Sequence, residues 1–122
     1  MKFMRDSSTQ HSEEAVMAIE ICTFTLPSKP EALKQYPEKV KEWISVMLSE
    51  PNHKEMRMYR SPDGKEGMVI TEIESVAEAN NFLASDKFKK LLSEMEKAGL
   101  GNIQHRAWDI SPLAPQVLRR AA

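Results

Sequence analysis

The sequence predicts a small α+β domain with the ferredoxin-like element order β-α-β-β-α-β, and three observations carry that reading. Four short stretches are rich in β-branched, aromatic or alternating apolar residues, while two longer ones repeat near every 3.6 residues. A Ser-Pro-Asp-Gly turn joins the middle two short stretches into a hairpin. One helical stretch separates each outer strand from that hairpin, so two crossovers flank it. The domain is placed at residues 16–111, between a loose N-terminal arm at 1–15 and a C-terminal tail at 112–122.

Val16 to Leu26 is β-branched and aromatic and ends at Pro27, which predicts the first strand. Ser28 to Tyr36 reads as a connection holding at most one helical turn. From Pro37, the residues Val40, Trp43, Ile44, Met47 and Leu48 recur on one helical face, and Pro51 stops the pattern. Proline suits the first turn of such a helix because its missing N–H would be unpaired there anyway. Lys54–Arg60 and Gly67–Glu74 are the hairpin strands. Ser75 and Glu78 form a capping box for the second helix, whose apolar side carries Ala79, Phe82, Leu83, Phe88, Leu91, Leu92, Met95 and Ala98. Ser85-Asp86 is a second cap inside that helix and predicts a kink there. Gly99 and Gly101 end it, and Ile103–Ile110 is the fourth strand.

The 122 residues suffice for one domain with its own core. A formal net charge of −1 leaves no electrostatic footprint for nucleic acid. The apolar runs are too short to span a bilayer, and no apolar segment follows Lys2 and Arg5 as a signal peptide would require. A single cysteine, Cys22, excludes an intramolecular disulfide and a CxxC motif. The expectation is a cytoplasmic protein with neither nucleic acid nor membrane as partner.

Strand parity adds a partner. Met68 and Ile70 oppose Val69 and Ile73, Ile19 and Ile21 oppose Cys22, Phe24 and Leu26, and Met56 and Met58 oppose Tyr59. Two apolar sheet faces need two covers, and the helices supply one. A second copy of the sheet supplies the other, so a homodimer through the sheet face is expected.

The stretch NNFLASDKFKKLLSEM, Asn80 to Met95, resembles the FxxSxxFKxLL helix of the antibiotic-biosynthesis-monooxygenase-like family, within the dimeric α/β-barrel superfamily. The hairpin MRMYRSPDG…MVITEIES is similar to that family's second and third strands, and the resemblance spans roughly residues 16 to 110. It implies a dimeric barrel that binds a small apolar or aromatic molecule, and a cofactor-independent monooxygenase among the activities. The family's haem-degrading branch places a tryptophan where this chain has Phe82 and the axial histidine where it has Leu92. Leucine cannot ligate iron, so haem is not expected.

Of the three histidines, His11 and His53 are expected to be solvated, and no pair stands at metal-ligand spacing. His105 lies inside strand four on the parity of Ile103 and Ala107. It is either a hydrogen-bonded core-edge histidine or the general base of a cleft. The candidate ligand-lining residues are Cys22, Phe24, Trp43, Phe82, Phe88 and Trp108; core packing is the alternative for Trp43, and a dimer interface for Trp108. Arg57 and Arg106 are expected to pair with Glu20, Glu72 or Asp109. The four glycines form no phosphate loop, and no cofactor is expected. The competing functional class is a non-catalytic dimeric module for ligand binding or assembly.

Overall fold

The computed structural model describes residues 18–113 and 120–121. The N-terminal arm, Val16 and most of the C-terminal tail lie outside the described residues. Strands β1 (Ala18–Thr25), β2 (His53–Arg60), β3 (Glu66–Ile73) and β4 (Gly101–Asp109) form one antiparallel sheet in the order β2-β3-β1-β4. Helix α1 (Pro30–Leu48) makes the first crossover; α2 (Val76–Leu83) and α3 (Asp86–Lys97) make the second. This is the ferredoxin-like α+β order, with the second helix divided.

The division has a local cause. Ser85 Oγ accepts a hydrogen bond from the Phe88 backbone N–H at 3.2 Å, which starts α3 two residues after Ala84, the C-cap of α2. At the start of α2, Ser75 Oγ accepts from Glu78 N–H at 3.1 Å. The reciprocal half of the capping box is not made: Asn52 donates to the Glu78 carboxylate instead, tying α2 to the start of β2. α3 closes with Gly99 at φ +101°, Gly99 N–H donating to Glu96 O and Leu100 N–H to Met95 O, the Schellman pattern.

Helix α1 begins at Pro30 rather than Pro37. Pro37 lies inside the helix, where it removes the bond to the Leu33 carbonyl. Both residues are exposed, so water can take that carbonyl. Trp43 and Met47 are buried as the spacing predicts, but Leu48, expected on the same stripe, is 49% exposed.

Register places every side chain. Ala18, Glu20, Cys22 and Phe24 of β1 stand opposite Ile73, Thr71, Val69 and Gly67 of β3, beneath the helices. Cys22 and Glu20 face His105 and Ala107 of β4. The other face carries Ile19, Ile21, Met68, Ile70, Arg57, Tyr59, Gln104, Arg106 and Trp108 and has no helix over it among the described residues. A bulge at Asn102, at φ +49°, lets β4 start at Gly101, two residues before the predicted Ile103. The core unites Phe24, Trp43, Met47, Phe82, Phe88, Leu91, Met95 and Leu100.

Candidate functional site

An apolar pocket of about 50 Å³ lies between α1, α3 and the sheet. β1 supplies Glu20, Cys22 and Phe24 to its wall; α1 supplies Tyr36, Trp43 and Met47 among others; α3 supplies Phe88, Leu91 and Met95. Met56, Met58 and Val69 complete it from β2 and β3. Four of these side chains are methionines, which are unbranched and repack readily, so the wall can yield to an entering molecule. Met58, at 41% exposed, is its most open member among the large apolar residues.

One wall residue is not apolar in character. Glu20 is 2% exposed, and its Oε2 has no hydrogen-bond partner among the described residues. Burial pushes its carboxyl up to about 7, because the apolar surroundings disfavour the charged form. The indole Nε1 of Trp43, a residue 7% exposed, is likewise buried without a partner. Cys22 is no nucleophile here: burial, and then the neighbouring Glu20 charge, push its thiol up to about 12.

The structure gathers four of the sequence-predicted lining residues, Cys22, Phe24, Trp43 and Phe88, around this pocket. Phe82 stands behind them, its ring 5.3 Å from that of Phe88. Trp108 lies on the opposite sheet face, 44% exposed, with the Arg106 guanidinium 4.3 Å from its ring centroid. His105 faces the helices, as do Ile103 and Ala107, and meets Phe88 edge-on at 4.7 Å. It touches a wall residue without being one. Its Nδ1 is buried and unpartnered, and burial lowers its pKa.

Two expectations are corrected. His53 is not solvated: it is 8% exposed, its Nδ1 lies 2.8 Å from the Met47 carbonyl, and its ring packs against Phe82. Burial lowers its pKa, partly offset by the Met47 bond. Glu20 cannot pair with Arg57 or Arg106, because register puts both arginines on the other face. Glu20 is the residue that sequence reasoning missed. Its signal was a carboxylate on the parity of Ala18, Cys22 and Phe24.

Among the described residues no group of three or more His, Cys, Asp or Glu side chains could hold a metal ion. No helix among them is long and apolar enough to cross a membrane.

No family model matches the sequence, and no curated protein matches it. Solved structures do. A candidate antibiotic biosynthesis monooxygenase from Deinococcus radiodurans aligns over 87% of this chain and 100% of its own, with TM-score 0.67 and 8% identity. SnoaB, a cofactor-independent oxygenase from Streptomyces nogalater, aligns over 87% and 100%, with TM-score 0.65 and 15% identity. A hydroxynitrile lyase from Passiflora edulis aligns over 80% and 96%, with TM-score 0.62 and 17% identity. Two different named activities on one backbone leave the reaction to be argued from the site. The likeness supports the resemblance seen in the Asn80–Met95 stretch, and the chain has the fold of the antibiotic-biosynthesis-monooxygenase-like structures.

Proposed function

We propose that this chain binds a small apolar or aromatic molecule in the pocket between α1, α3 and the sheet, and acts on it as a cofactor-independent oxygenase. The observation that carries the reading is an apolar, aromatic- and methionine-walled space in the core, with the buried Glu20 among its wall residues. The structural likeness to SnoaB supports the reaction class. In this reading the protein works as a homodimer joined through its open sheet face, in the cytoplasm. Residues 16–111 are its functional unit.

One observation favours the second reading, a non-catalytic binding or assembly module. The pocket's 50 Å³ is well below the ~150 Å³ cavity known to admit benzene, so a ligand enters only if the methionines move. Oxygen consumption with a panel of small quinols separates the two readings. Turnover above the buffer rate, lost in Trp43→Ala, is expected of the oxygenase. A rate equal to buffer for the whole panel assigns the chain to the non-catalytic class.

A further inference from the structure

A second cavity, of about 140 Å³, opens where the turn between α1 and β2 meets α2. That is close to the ~150 Å³ known to admit benzene, so a small molecule fits without displacing the wall. Its wall exposes polar as well as apolar surface. Glu50 and His53 reach it from the turn and the first residue of β2; Glu78 and Phe82 reach it from α2, four residues apart and so on one helical face. Contacts hold these groups together. The His53 ring packs 4.7 Å from that of Phe82, His53 N–H donates to the Glu50 carbonyl at 3.1 Å, and the adjoining Asn52 donates to the Glu78 carboxylate.

Three acceptors in this wall are open. His53 is 8% exposed, and its Nδ1 lies 2.8 Å from the Met47 carbonyl. A carbonyl only accepts, so Nδ1 carries the hydrogen and Nε2 keeps its lone pair. Nε2 has no partner among the described residues, yet it is not one of the atoms sealed from solvent; it opens on the cavity that the ring lines. Each carboxylate commits its Oε2, Glu50 to Lys87 of α3 and Glu78 to Asn52. Their Oε1 atoms are unpartnered among the described residues and likewise unsealed.

We propose that this cavity is a second ligand site, taking the ammonium group of a small primary amine between His53 Nε2 and the carboxylates of Glu50 and Glu78. The inference is independent of the apolar pocket. An alkylammonium has three N–H donors and no acceptor, which answers three open acceptors. Lys87 cancels one of the two carboxylate charges and leaves the other for the ligand. Burial lowers the His53 pKa, which keeps the imidazole neutral and able to accept. Phe82 offers the alkyl chain an apolar surface. An anionic ligand would be repelled by the carboxylates. A bare metal ion needs its ligands at about 2.0–2.2 Å, and among the described residues no group of three His, Cys, Asp or Glu side chains is gathered that closely. An ammonium nitrogen needs only the wider spacing of hydrogen bonds, about 2.7–2.9 Å to each acceptor.

Ethylammonium chloride, tetramethylammonium chloride and ethanol separate hydrogen bonding, charge and size. Each is titrated at pH 8 and constant ionic strength into the full-length protein with ¹⁵N-labelled histidine, following the His53 Nε2 signal assigned by its ring contacts to Phe82. At this pH an alkylamine, like a lysine side chain, is protonated. Ethylammonium should saturate with a Kd in the millimolar range, as tight as so few atoms allow, and move the Nε2 signal upfield. Tetramethylammonium, which has the charge and no N–H, and ethanol, which has no charge, should each bind about tenfold or more weakly. Glu78→Gln keeps an acceptor for Asn52 and removes the charge, and should weaken ethylammonium about tenfold; Glu50→Gln should do the same. The assignment is overturned by ethylammonium that never saturates, by tetramethylammonium that binds equally well, by a His53 Nε2 signal unmoved at saturation, or by an affinity unchanged in either glutamine variant.

Discussion

Glu20 sits between Ile19 and Ile21 in the sequence, and its burial has an energetic consequence that can be read as a function of pH. Its folded-state carboxyl is raised from 4.5 to about 7, so the folded chain holds a proton that the unfolded chain has released across that window. Stability contributed by this group is therefore fully present below pH 4.5 and is lost as pH rises through 7, by about 3 kcal/mol. His53 and His105 act in the opposite sense, since burial lowers both: they cost stability below pH 6.5, where the unfolded imidazoles charge first. The difference between wild type and Glu20→Gln isolates the carboxyl. Urea unfolding at pH 4 and pH 8 should show the glutamine variant gaining up to about 3 kcal/mol relative to wild type between the two. A constant difference would mean that Glu20 does not titrate abnormally. The side-chain parity of Glu20 was legible in the sequence, but its isolation was not. Whether Arg57 and Arg106 share its face depends on the register of β2 and β4, and a one-residue slip reverses that face.

At the scale of elements, the reading succeeds where the chemistry is local and fails where two local signals compete. Ser85 stops and restarts the second helix because its hydroxyl satisfies Phe88 N–H, and the sequence shows that cap plainly. The break brings Phe82 and Phe88 into contact, so a row of rings runs His53–Phe82–Phe88–His105 beneath α2 and α3. Pro30 and Pro37 both suit a first turn, and α1 starts at the earlier one because the exposed Pro37 is tolerated within the helix. The hairpin holds a further constraint that no pattern announces. The Phe24 ring lies over Gly67, its register partner, and a Cβ on Gly67 would come within 2.5 Å of the ring. Gly67→Ala must displace a pocket-wall residue, and a loss of about 1–3 kcal/mol is expected. Thermal unfolding checks it; an unchanged Tm would show that the Phe24 ring moves freely.

At the scale of the whole molecule, the described residues present one covered and one open sheet face. Ile21 of β1 pairs with Ile70 of β3 and Arg106 of β4 at the middle of the open face, with Tyr59 and Trp108 toward its outer strands, 50% and 44% exposed. Exposed apolar side chains on such a face mark an interaction surface, and in the proposed dimer a second copy would cover it by symmetry. Sedimentation equilibrium at micromolar concentration should return twice the 13.9 kDa chain mass. Ile21→Glu, which places a charge at the centre of that face, should return the single mass with the fold retained. A wild-type monomer would remove the dimer from the account. That two faces are apolar was legible from alternation alone; which face receives the helices was not, because helix docking is a tertiary choice. The central claim is the pocket on the covered face, and methyl NMR of the methionines tests it most directly. Toluene titrated into protein labelled at the methionine methyls should shift Met47, Met56, Met58 and Met95 saturably, in one-to-one proportion, and leave Met68 of the open face unmoved. Shifts that never saturate, or that appear at Met68 and not at the other four, would contradict it.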